Sequence, residues 1–237
     1  MTGQKPNYEA EPGDAVHPGH PVTVDRYTLA ARINHWITAV SLVLLALSGL
    51  SMFHPSLFFL TDLFGGGQFT RTIHPWIGVV LVFSFLGMFL RFWKLNLWKR
   101  DDIVWLSRLR DVLTSHEEKL PEVGKYNAGQ KVVFWSMSIL IVILISTGIV
   151  IWERYFSSYF SIEQQRVAVL IHSAMAVIAI SVWIVHVYAA IWIRGTFSAM
   201  IRGHVTGGWA WRHHRKWLKQ LVVGKPKDSN AGKTAAE

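Results

Sequence analysis

Residues 167–193 read VAVLIHSAMAVIAISVWIVHVYAAIWI, 27 residues without a formal charge. A membrane-spanning helix needs about 20 predominantly apolar residues at about 1.5 Å rise each. This stretch passes that test and also carries His172 and His186. They stand 14 residues apart, which at about 100° per residue brings them within about 40° of one helix face and about 21 Å apart along the axis. An ionisable side chain inside a membrane is costly, so a functional site is the default reading.

Three further runs resemble it. Trp36 to Phe53 and Pro75 to Leu90 are uncharged, and Val132 to Trp152 is 21 residues without a charge. None shows the wide polar face of a helix on a soluble protein. Spans are expected at about 35–53, 73–91, 131–152 and 165–193, within a helical membrane domain over 26–220. Composition agrees: of 237 residues, 51% are hydrophobic and 16% charged, against about 25% charged in a soluble domain. With no Cys, the chain forms no disulfide, no thiolate zinc site, no thiolate-held iron–sulfur cluster and no c-type haem.

The net charge of +9 is read as a topology signal, not as a nucleic-acid footprint. Basic residues crowd the N-terminal segment, the 92–130 connection (Arg91 through Lys125) and the C-terminal segment from Arg194 onward. The 54–72 connection holds only Arg71, and the 153–166 connection holds Arg154 and Arg166. The positive-inside rule then places both termini and the 92–130 segment in the cytoplasm. Residues 1–25 lack the apolar core of a signal peptide and are read as a disordered tail, as is the basic stretch 221–237.

Four of the 11 His lie in or at the ends of spans. His35 opens the first on the inner side, and His74 opens the second on the outer side. The spacing therefore pairs His74 with His172 and His35 with His186, two bis-imidazole sites at two depths. Zinc prefers four protein ligands, and copper favours Met or Cys company. A b-type haem brings four equatorial nitrogens and asks only for two axial ligands, so it fits best. Gly49, Gly78, Ala176 and Ala179 offer room on the ligand-bearing faces. His54, His116, His204, His213 and His214 are read as surface residues.

The segment Gly124-Lys125-Tyr126-Asn127-Ala128-Gly129-Gln130-Lys131 leads into the third span. Asn127 and Gln130 offer amide donors and acceptors suited to a quinone carbonyl, and Gly129 allows close backbone approach. The segment reads equally as a plain helix entry, with Asn127 as N-cap and Lys131 as interfacial anchor.

Several motifs together resemble the gamma, or cytochrome b, subunit of membrane-bound respiratory formate dehydrogenases. They are Arg32-Ile-Asn-His35-Trp36, Ile73-His74-Pro75-Trp76-Ile77-Gly78, the Gly124–Lys131 segment, Leu170-Ile-His172-Ser-Ala and Val185-His186-Val-Tyr188. The resemblance covers roughly residues 26–220. It implies an all-α integral membrane protein: a four-transmembrane-helix bundle holding two b-type haems in a bacterial inner membrane. It implies that His74 and His172 ligate an outer haem, His35 and His186 an inner one, and that Asn127, Gly129 and Gln130 border a quinone site. It implies partners too: an iron–sulfur beta subunit and a molybdenum- or tungsten-containing catalytic alpha subunit. Electrons from formate would pass the outer haem, then the inner, then the quinone, with formate oxidation on the partner. Alternative readings are the cytochrome b of a nickel–iron hydrogenase, a haem-free membrane anchor, and a zinc-dependent or proton-translocating membrane protein.

Overall fold

The computed structural model describes residues 10–223, apart from residue 12 and residues 115–119. His116, residues 1–9 and residues 224–237 lie outside that set. The chain divides into two compact units.

One unit, residues 29–97 and 129–197, holds the long helices. These are α1 (Leu29–Phe53), α2 (Gly67–Phe92), α5 (Ala128–Ile151) and α6 (Ile162–Trp192). All four are long and apolar enough to cross a membrane. Their burial pattern inverts that of a soluble protein. The residues α1 buries are Ala31, Thr38, Ser41, Ser48 and Ser51, all small. Large apolar side chains point outward: Phe83 is 71% exposed and Leu170 is 70% exposed. Small residues let membrane helices approach closely where lipid removes any hydrophobic drive to associate. The α1–α2 contact shows how this works. Thr38 Oγ1 and Ser84 Oγ lie 3.0 Å apart, and Asn34 Nδ2 donates to the Ser84 carbonyl at 2.9 Å.

Helix ends follow local chemistry. A 3₁₀ helix, Pro55–Phe64, follows α1. Its N-cap is His54, whose Nδ1 accepts from the Ser56 amide at 3.2 Å, so this histidine has a structural task. It stops at Gly65, whose φ of 81° suits glycine. Ser161 and Gln164 form a capping box at α6: Ser161 Oγ accepts from the Gln164 amide, and Gln164 Oε1 accepts from the Ser161 amide. That box starts the helix three residues before the span edge expected at 165. At α5, Lys131 is 4% exposed and donates to the Leu97 carbonyl at 3.1 Å. It therefore ties the start of α5 to the segment after α2.

The second unit gathers residues from 1–28, 98–128 and 198–237. It contains β1 (Val16–His17), β2 (Thr23–Asp25), α3 (Arg100–Ser107), α4 (Leu109–Leu113), α7 (Thr196–Arg202, from residue 198), β3 (His204–Thr206), α8 (Gly207–His213) and α9 (Arg215–Val223). The strands form an antiparallel sheet in the order β1-β2-β3, with Val16 opposite Val24 and Val24 opposite Val205. Val24, Ala199, Val205, Ala210, Trp217 and Leu221 make its core. Residues 16–17 and 23–25 are thus strands of a sheet, where a disordered tail was expected over 1–25. The C-terminal boundary also shifts, since Leu221 is buried within α9. Polar contacts hold the N-terminal stretch as well. Lys125, 1% exposed, donates to Glu11 and to Asp14, and Trp217 Nε1 donates to Asp14 Oδ2 at 3.0 Å.

The expected single domain over 26–220 is therefore two units. The segments before α1, between α2 and α5, and after α6 fold together in the second unit.

Candidate functional site

The four span histidines all belong to the helical unit, and they meet in the pairs read from the spacing. The ring centroids of His35 on α1 and His186 on α6 are 6.4 Å apart, with planes at 54°. Those of His74 on α2 and His172 on α6 are 6.3 Å apart, with planes at 67°. One helix, α6, thus contributes to both levels, about 21 Å apart by the helical rise.

The separation is informative. A direct N–H···N bond between two imidazoles would bring the centroids to about 5 Å. Two imidazoles on opposite sides of one metal ion, each nitrogen about 2.0 Å from it, have centroids about 6 Å apart. Both pairs match the second case. Among the described residues there is no group of three or more His, Asp or Glu able to hold a metal ion. Each level is therefore a two-ligand site, which is what a macrocycle with its own equatorial nitrogens requires. Room exists as well. A Cβ at Gly78, one turn after His74, would meet nothing within 4 Å. The residues present fit axial ligation of a b-type haem at each level.

Two neighbours of these rings escaped the sequence reading. Ser48 Oγ lies 2.7 Å from His74 Nδ1, and Thr147 Oγ1 lies 3.0 Å from His172 Nδ1. The residue after each hydroxyl is a glycine against the same ring. A Cβ at Gly49 would stand 3.5 Å from His74 Cε1, and one at Gly148 would stand 3.5 Å from His172 Cε1. The Ser-Gly and Thr-Gly pairs, placed late in α1 and α5, were the available signal.

Asn127 directly precedes α5, and Gly129 and Gln130 stand half-buried in its first turn. Upstream, the Gly124 carbonyl takes a hydrogen bond from His214 Nδ1 at 2.7 Å, and Arg26 Nη2 donates to the Lys125 carbonyl. His214 is 1% exposed, which corrects its reading as a surface residue. Burial first, then the charge of Arg26, push its pKa well below the ordinary histidine value. Neutral His214 donates from Nδ1, so its Nε2 is free to accept from Arg26 Nη2 at 3.3 Å. Arg26 itself lies 5.1 Å from the ring centroids of both Trp209 and Trp217.

Fold and site together define a class: a multi-pass membrane protein with four membrane-length helices and two stacked imidazole pairs. The family model for prokaryotic cytochrome b561 matches residues 26–203, and the chain belongs to that family. The chain is 45% identical over 199 residues to the formate dehydrogenase cytochrome b556(fdo) subunit of Escherichia coli (strain K12), covering 84% of this chain and 93% of the relative. It is 40% identical over 196 residues to the nitrate-inducible formate dehydrogenase cytochrome b556(Fdn) subunit of the same organism, covering 83% and 90%. With the formate dehydrogenase cytochrome b556 subunit of Haemophilus influenzae it shares 37% identity over 200 residues, 84% of each chain.

Proposed function

We propose that this chain is the diheme cytochrome b subunit of a formate dehydrogenase, in a bacterial inner membrane with both termini in the cytoplasm. The observation that carries the reading is the pair of imidazole couples at 6.3 and 6.4 Å, one above the other on α6. The names of the relatives favour formate over hydrogen as the ultimate donor. Each haem, when bound, would supply a one-electron carrier, with His74 and His172 holding the one nearer an iron–sulfur partner subunit and His35 and His186 the one nearer a quinone.

The chain's own residues do the rest. His74 and His172 hold the outer group, and His35 and His186 the inner. The apolar helix faces seat the subunit in lipid and anchor the complex. Asn127, Gly129 and Gln130 border the quinone, their amides serving its carbonyl oxygens. Formate oxidation belongs to an alpha subunit carrying molybdenum or tungsten.

A reduced-minus-oxidised visible spectrum of the purified subunit, with haem quantitation, tests this. About two b-type haems per chain are expected. A colourless preparation made with ample haem supply would leave only a membrane anchor. Metal without porphyrin on acid extraction would point to a zinc protein instead. Co-purification with a hydrogenase large subunit in place of a formate-oxidising one would move the chain to the hydrogen branch.

A further inference from the structure

The four ligand histidines are not held alike. Behind His74 stands the Ser48 hydroxyl, 0% exposed, which also donates to the Leu44 carbonyl of its own helix at 2.7 Å. Behind His172 stands the Thr147 hydroxyl, 9% exposed, which donates to the Ile143 carbonyl at 2.8 Å. A hydroxyl has one hydrogen and two lone pairs. Here a helix carbonyl oxygen can take the hydrogen, which leaves a hydroxyl lone pair facing the imidazole. With Nε2 of His74 and of His172 given to a metal, Nδ1 carries the ring proton and donates it to that lone pair. The arrangement appears twice, on α1 against α2 and on α5 against α6, each time followed by a glycine in contact with the ring. His35, of the other pair, differs. His35 Nδ1 is buried with no hydrogen-bond partner among the described residues.

A ring N–H that donates to an oxygen leaves the opposite nitrogen more electron-rich, and this raises its basicity as a ligand. A more basic axial ligand favours the ferric over the ferrous state. Hydrogen bonding behind the axial ligands is one of the ways a protein sets a haem potential.

Resting on the diheme reading above, we propose that Ser48 and Thr147 are positioning residues of the outer haem. They fix the ligand tautomer of His74 and His172 and hold that haem's midpoint potential down relative to the haem between His35 and His186. The outer centre is thereby biased to pass its electron onward to the inner one.

The test is a redox titration of the full complex, following the visible spectrum of the two b-type components. Variants are S48A, T147V and the double variant, with S48T and T147S as hydroxyl-retaining controls. In S48A and T147V the expected result is two haems per chain, one midpoint raised and the other unmoved. Each tenfold loss of ferric preference reads as a rise of about 59 mV for this one-electron couple. The double variant moves further than either single one, and the controls stay near the parent value. Unchanged midpoints in a fully loaded T147V or S48A overturn the proposal, as does movement of the inner component alone. Should both variants lose the outer haem, the controls decide. Retention in S48T and T147S supports the positioning role, and loss there too shows that volume, not the hydroxyl, matters. A parent complex without haem would instead fail the functional reading, before any variant is made.

Discussion

Replacing the ligand histidines two at a time separates the pairing from every alternative. The levels lie about 21 Å apart on α6, well beyond the roughly 7–10 Å within which substitutions couple. Loss at one level therefore leaves the other intact. In the proposed pairing the two rings of a level would share one iron, so the second deletion is expected to add nothing to the first. H186A, H35A and the double H35A/H186A are each expected to contain one haem, half the parent alpha-band amplitude, and to reduce no quinone. H74A/H172A also keeps one haem, the inner one, but the partner's electrons no longer reach it. The cross-level doubles H35A/H74A and H172A/H186A contain none. The assay is pyridine haemochrome quantitation on purified complex, with dithionite and formate as alternative reductants. One haem surviving in H35A/H74A, or none in H35A/H186A, would refute the assignment of rings to levels.

Three further outcomes follow from the geometry. Asn127→Leu or Gln130→Leu slows quinone turnover several-fold with haem content unchanged; normal turnover returns that segment to a plain helix entry. Lys125→Met removes the ammonium that Glu11 and Asp14 share, and breaking a buried ion pair costs about 3–5 kcal/mol. Hydrogen exchange should show faster opening of β1 and β2 in that variant, with the long helices unaffected. His214 has a folded pKa below its unfolded value, so the unfolded state binds the extra proton and stability falls with falling pH. The contribution is complete above about pH 6.5 and is lost progressively below it. Exchange protection around Gly124 and Trp217 should follow that sign, and H214Q should flatten the dependence.

The helical half was legible because its physics is local. Four charge-free runs announce four spans, and a 14-residue interval on one of them fixes two depths. Helix ends ran past the apolar runs because caps, not hydropathy, decide them. The Ser161–Gln164 box was readable as Ser-x-x-Gln, whereas Arg71, expected in the connection before the second run, lies inside α2. The other unit was not legible. Its sheet is short and polar, and its fixing contacts join Lys125 to Glu11 and His214 to Gly124, across about a hundred residues of intervening chain. No periodicity records such a contact. His214 sits among Arg212, His213, Arg215 and Lys216, so its neighbours suggested solvent while its side chain is enclosed. Ser48 and Thr147 were overlooked because hydroxyls are common in membrane helices. Only the depth of the facing ring separates these two from Ser41 or Ser146.

The clasp around Arg26 has a consequence for biosynthesis. Its guanidinium leaves the ribosome early, yet Trp209, His214 and Trp217 emerge only after the final span has been made. The cage therefore closes last. A nascent chain arrested before His204 would lack all three of these partners and also the β3 strand that pairs with β2.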